Sequence, residues 1–266
     1  MKPNWNEKRT KKELHIPIEY QKHNAKMQNR RELTFILQEA VFQERIPLFH
    51  ILDASLMAED ELKDIPFSTF QEYSRDGISE NYNVESIVMV GFPIKEPMLL
   101  MEQQIPTNKN NRITSIAELK ITNEQMSVCE KLEILGYHAQ AVPFSIMPNP
   151  AYARLLSLSQ KGIAGKNGYF ITKDFGCKVA IGIVVTDAPL MGGDYRSEDF
   201  TEEVCVNCNL CVENCPAGAL SENGYNFIKC KKYRNKEENS VRLASHSVMR
   251  CQKCMEICPK NSYNIP

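Results

Sequence analysis

Eight of the chain's ten cysteines fall after residue 200, and their spacing makes the first chemical statement. Cys205, Cys208, Cys211 and Cys215, followed by Pro216, read C-x2-C-x2-C-x3-C-P, the pattern of bacterial [4Fe-4S] cluster loops. Three thiolates three residues apart can wrap one corner of a cubane, while the fourth, carried onward by the proline, reaches a different cluster. A second set follows: Cys230, then Cys251, Cys254 and Cys258 with Pro259. Its C-x2-C-x3-C-P end repeats the first motif, but 20 residues separate the leading ligand, Cys230, from Cys251. Two tetranuclear clusters take eight thiolates, as many as this segment supplies. Crossing over assigns Cys205, Cys208, Cys211 and Cys258 to cluster one, and Cys215, Cys230, Cys251 and Cys254 to cluster two. The rival reading is a pair of zinc sites built from C-x2-C pairs, but zinc needs neither a third cysteine three residues on nor a proline after the last.

The remaining ionisable and sulfur groups say less. Cys129 sits at a helical core position, where free cysteine behaves as a small apolar side chain. The histidines, His15, His23, His50, His138 and His246, have no paired spacing that would mark a mononuclear metal site. With 32 basic and 33 acidic side chains, no global charge steers the chain toward nucleic acid or an anionic membrane. The longest apolar run, Val179 to Val185, has seven residues, far below the roughly 20 that span a bilayer. The amino terminus is charged and lacks an apolar stretch behind it, and Arg30-Arg31 is followed by a glutamate-broken helical pattern, so no export signal is read. Ten cysteines without such a signal place the protein in a reducing cytoplasm.

The elements that must position these cysteines are legible in part. Residues 1–31 carry nine Lys and Arg against three Glu and form a basic arm, read as a solvated terminus rather than a docking surface. From Glu32 onward, Leu33, Ile36, Leu37, Ala40 and Val41 recur at helical spacing. The β-branched ESIVMVGFPI, Glu85 to Ile94, predicts a buried strand. Thr122 and Gln125 read as a capping box opening a helix whose Met126, Cys129 and Leu132 share a face, with Gly136 ending it. A strand over His138 to Phe144, a helix over AYARLLSLSQ, the turn GIAGKNG, the strand YFIT and the strand Cys177 to Asp187 follow. This alternation predicts a sheet covered by helices up to about residue 190, and the boundary falls near Arg196 to Thr201. Beyond it, short helices and loops should owe their order to bound metal more than to an apolar core.

The turn GIAGKNG, the strand ending in TDAPL and the double cysteine motif, in this order, resemble the iron–sulfur oxidoreductases that include epoxyqueuosine reductase and the reductive dehalogenases. The resemblance runs from about Ser86 to Pro259. It implies an α+β fold: a nitroreductase-like, corrinoid-type α/β domain at 32–200 and a ferredoxin-like double [4Fe-4S] domain at 201–266. It implies two [4Fe-4S] clusters delivering electrons to a corrinoid such as cobalamin. Epoxyqueuosine reductases carry a proton-donating aspartate about twenty residues before the glycine turn, whereas Ser145 to Asn149 here contain no acid. Queuosine chemistry and a nucleic-acid partner are therefore not expected, and with the chain ending at Pro266 no tRNA-holding segment follows the clusters.

Within the glycine turn, Gly162 and Gly165 would let the backbone approach a bound group, and Lys166 or Asn167 could meet a phosphate, amide or substrate oxygen. Tyr152 and Tyr169 are the candidate proton donors, with core packing as the alternative. Asp187, before Ala188-Pro189, reads as a turn residue at a strand end. The expected function is a cytoplasmic reductase of anaerobic metabolism passing low-potential electrons to a corrinoid or substrate. Its electron donor would be a ferredoxin or flavodoxin, and its acceptor a small molecule or partner enzyme. The alternative is a ferredoxin-like electron-transfer protein without organic cofactor, docking through residues 217–266, where nine Lys and Arg face four Glu.

Overall fold

The computed structural model describes residues 29–54, 69–73, 79–95, 100–106, 111–142, 150–192, 203–222, 224–244 and 247–260. The basic arm through residue 28, Ser145 to Asn149 and the expected boundary at 196–201 lie outside these. Arg30 and Arg31, counted with the arm, instead form the first turn of helix α1 (Arg30–Gln43). Asn29 caps it, its side-chain oxygen accepting from the Arg31 and Glu32 N–H groups at 3.2 and 3.3 Å. Arg30 pairs with Asp53 and donates to the carbonyls of Pro189 and Leu190 at 3.1 and 2.9 Å, so it staples two strand ends.

A four-stranded antiparallel sheet forms the centre, in the order β1 (Leu48–Asp53), β4 (Ser86–Pro93), β10 (Val179–Thr186), β7 (Ala139–Val142). Strands β2 (Thr69–Tyr73) and β3 (Ser79–Asn83) form a separate hairpin. Both faces of the sheet are covered, which is why β4 and β10 read as continuous apolar runs. Alternation sends Val88, Val90, Phe92, Ala180 and Val184 to one face, beneath α1 and α2 (Ile116–Ile134). Ile87, Met89, Ile181, Ile183 and Val185 go to the other, beneath α3 (Pro150–Ser157) and the hairpin β8 (Gly162–Ala164)–β9 (Phe170–Thr172). Leu33, Leu37, Ile121 and Leu132 are wholly buried, each contributing about 1.5–3 kcal/mol relative to exposure.

Helix α2 begins seven residues earlier than the capping-box reading, its cap being Ser115, whose hydroxyl accepts from the Glu118 N–H at 3.0 Å. Thr122 and Gln125 therefore lie inside it. Thr122 Oγ1 donates back to the Glu118 carbonyl at 2.8 Å. Gln125, 1% exposed, donates through Nε2 to the carbonyls of Val142 and Ile183 at 2.8 and 2.7 Å. Its side chain fills the space a Cβ would take at Gly182, within 2.5 Å, so glycine there admits the helix to the strand. Met126 is exposed and does not share the face of Cys129 and Leu132. Gly136, at φ +86°, ends the helix as expected. Asp187 accepts from the His138 N–H at 2.8 Å and closes the end of β7 onto β10.

The C-terminal part holds α4 (Glu203–Val206), α5 (Leu210–Glu213), the small pair β11 (Leu220–Ser221) and β12 (Gly224–Tyr225), α6 (Phe227–Arg234), and α7 (Lys253–Glu256). It also contains a hairpin, β13 (Ser240–Ala244) and β14 (Ser247–Arg250), where only loops and short helices were expected. This hairpin joins β5 (Glu102–Pro106) and β6 (Asn111–Ser115) in a second antiparallel sheet of order β13-β14-β5-β6, through Ser247–Gln103 and Val248–Glu102. The segments before and after the expected boundary are thus parts of one sheet.

Candidate iron–sulfur centre

The two cysteine motifs fold alike. Cys211 lies on α5 and Cys254 on α7, each a single turn preceded by a residue, Asn209 or Gln252, whose carbonyl accepts from the N–H groups of the turn at 2.9–3.0 Å. The two turns pack together. Aligning them pairs Cys208 with Cys251, Cys211 with Cys254 and Cys215 with Cys258. The position matching Cys205 is Val248, which β14 uses to pair with Glu102. The sheet thus occupies the place where a leading cysteine would stand, and α6 supplies Cys230 instead.

Charge coupling groups the thiols. Burial, then Cys258, Cys205 and Cys208, push Cys211 up to about 11. Burial, with Cys258 and Cys208 nearby, pushes Cys205 up, against the Lys166 backbone N–H and side-chain charge, which pull it down. Cys254 is pushed up to about 12 by burial, then by Cys230 and Cys251. Cys215, Cys230, Cys251 and Cys254 line one cavity, with Tyr169, Tyr225, Tyr233 and Arg234 among its other walls. The Cys215 sulfur also accepts from the Ala219 N–H at 3.3 Å.

The donor set suits a polynuclear cluster. Among the described residues no three Cys, His, Asp or Glu side chains converge on a single-ion site. The four cysteines instead surround a space, and thiolates are the ligands that iron–sulfur clusters take. Arg234 lines this space: it is 3% exposed, and its buried Nε has no hydrogen-bond partner among the described residues. An anionic cluster with sulfide acceptors would satisfy it.

The glycine turn serves the cysteine loops. Lys166 Nζ donates to the carbonyls of Val206 and Cys208 at 3.0 and 3.2 Å and to Asn209 Oδ1 at 2.9 Å. Asn167, 1% exposed, accepts from the Tyr169 N–H at 3.1 Å and donates to the Cys254 carbonyl at 3.4 Å. A Cβ at Gly162 would meet the Ile171 carbonyl at 2.3 Å, and one at Gly165 would meet Asn167 Oδ1 at 2.6 Å. These glycines thus allow the hairpin to close on itself.

Tyr169 lies against the second cysteine set, and burial with Cys254 nearby drives its hydroxyl well above the usual range. Tyr152 packs on the opposite face of the central sheet, where burial likewise raises it. Cys177, 1% exposed, was read from sequence as a strand residue. Its thiol approaches the Met255 carbonyl at 3.6 Å and hydrogen-bonds Cys258, holding that thiol down at about 7. Sequence reasoning also missed Arg234, Glu102 and Arg250. The available hint was position: Arg234 follows Cys230 by one helical turn and Arg250 precedes Cys251.

A family model described as "4Fe-4S binding domain" matches residues 199–221. Epoxyqueuosine reductase of Bacillus anthracis is 30% identical over 113 residues, covering 38% of this chain and 27% of that protein. The chain thus matches about a quarter of that relative's length. The structure of a reductive dehalogenase, one that suggests a mechanism for B12-dependent dehalogenation, superposes with a TM-score of 0.61 at 17% identity, covering 91% of this chain and 34% of the other. Epoxyqueuosine reductase solved with an epoxyqueuosine-modified tRNA-Tyr stem loop gives a TM-score of 0.53 at 16% identity, covering 86% and 65%. In its mixed α/β fold and its [4Fe-4S] motif the chain is thus similar, at low identity, to the iron–sulfur oxidoreductases that include epoxyqueuosine reductase and the reductive dehalogenases.

Proposed function

We propose that this oxidoreductase carries two [4Fe-4S] clusters and passes electrons to an acceptor at its α/β part, a nitroreductase-like unit of the corrinoid-binding type, in a reducing cytoplasm. The observation that carries this reading is that Cys215, Cys230, Cys251 and Cys254, drawn from both motifs, line one cavity. Cluster one would be held by Cys205, Cys208, Cys211 and Cys258, cluster two by the four cavity cysteines. When bound, the clusters supply one-electron transfer. The chain's own residues fix the ligand loops: Lys166 ties the first to the glycine turn, Asn167 the second. Tyr169 and the buried core beneath Cys258 and Met255 keep water from the thiolates. Among the described residues no helix is long and apolar enough to cross a membrane.

One observation favours the second reading, an electron-transfer protein without organic cofactor. Lys166 and Asn167 already engage cysteine-loop atoms, so neither is presented to a corrinoid. In either case an acidic one-electron donor, a ferredoxin or flavodoxin, would meet the exposed Lys229, Lys231 and Lys232 beside Cys230 on α6.

Anaerobic isolation and metal analysis test the shared claim: about eight iron and eight sulfide per chain are expected. Stoichiometric zinc without sulfide would refute it. Cobalamin titration under reducing conditions, followed by its visible spectrum, separates the readings, since binding supports the reductase and its absence supports the carrier. A modified tRNA stem loop, the partner seen with the epoxyqueuosine relative, should show no retention and no reduction.

A further inference from the structure

Glu102 on β5 accepts from two arginines. Arg234, the last residue of α6, donates through Nη2 at 2.8 Å, and Arg250, the last residue of β14, through Nε at 2.5 Å. Arg250 Nη1 also donates to the Arg234 carbonyl at 2.7 Å. The three side chains are 3% (Arg234), 10% (Glu102) and 14% (Arg250) exposed. Two guanidinium groups against one carboxylate leave one positive charge in excess. A buried charge without a counter-ion is strongly unfavourable, so the arrangement calls for an anion. Arg234 lines the cavity of Cys215, Cys230, Cys251 and Cys254, and its Nε–H has no partner among the described residues.

We propose that Arg234 is the built-in counter-charge of the group held by those four cysteines and raises its reduction potential, with Glu102 setting how much of that charge the group feels. The proposal rests on the two-cluster reading above. Reduction adds one electron, taken from an external donor such as dithionite, and therefore one negative charge to the cluster and its thiolates. A positive charge and a free N–H nearby favour that reduced form. Arg234 is a positioning residue, since it ligates nothing.

The test is a dithionite titration of the anaerobically reconstituted full chain, with each cluster followed by electron paramagnetic resonance. In Arg234→Gln one cluster should show at least a tenfold lower ratio of reduced to oxidised form at a fixed potential, a shift of about 59 mV for one electron. The other cluster should be unmoved. Glu102→Gln should shift the same cluster in the opposite direction, and Arg234→Lys should stay near wild type. Unchanged potentials in Arg234→Gln, or shifts of equal sign in Arg234→Gln and Glu102→Gln, would overturn the proposal. If Arg234→Gln loses iron, Glu102→Gln decides: a positive shift supports the assignment and no shift rejects it. A wild-type chain lacking two clusters would be a failure of the functional reading, visible in the iron analysis before any variant is made.

Discussion

The ten thiols divide by surroundings rather than by exposure. Cys129 is buried by α2 against the central sheet, and burial, then Glu133, raises it to about 12, so it stays protonated. Cys177 touches Cys258 without belonging to a motif. Cys129→Ala and Cys177→Ala should therefore keep their iron, whereas Cys211→Ala or Cys254→Ala should each fall to roughly half, as loss of one of two clusters requires. Iron and sulfide assays decide this, and loss of a cluster's iron in Cys177→Ala would refute the ligand assignment. The raised thiols Cys211 and Cys254 are neutral in the free chain at pH 7, yet must lose protons to bind iron. Loading should release protons and become more complete as pH rises from about 7 to 9. A reconstitution series in that window, with iron per chain as readout, checks the sign. The motif cysteines were legible because cluster ligation is local in sequence. The Arg234–Glu102 pair, 132 residues apart, leaves no such pattern.

At the scale of elements, apolar periodicity was a sound guide wherever burial alone decides. It located α1 and the strands β4 and β10, whose side chains are fully packed on two faces. It failed at α2, where Thr122 and Gln125 imitate a cap. Gln125 is there to hold carbonyls from two strands, a tertiary role that spacing cannot display. Gln125→Leu keeps the volume roughly and strands both acceptors, which should destabilise the fold by about 2 kcal/mol. Urea unfolding should show a lower midpoint at unchanged slope. An unaltered midpoint would mean that water replaces the amide. The hairpin β13–β14 was missed because its strands are short, with Val241 and Arg242 exposed and β14 only partly buried, so neither apolar alternation nor a glycine-marked turn announces it.

For the molecule as a whole, the division near residue 200 marks a change in composition but not a break in structure, since β5 and β6 pair with strands beyond it. The hairpin lies between Cys230 and Cys251, within the stretch of chain that cluster two would close into a loop. A closed loop restricts its residues even where they touch no ligand. Amide hydrogen exchange should register this at a distance: stripping iron with a chelator should speed exchange in 240–250 and, through the shared ladder, in 102–106. Strands β4 and β10, which lie in the other sheet, should keep their protection. The second sheet would then act as a gauge of metal occupancy, so that a chain short of iron presents a loosened edge that proteases can find while its core remains intact.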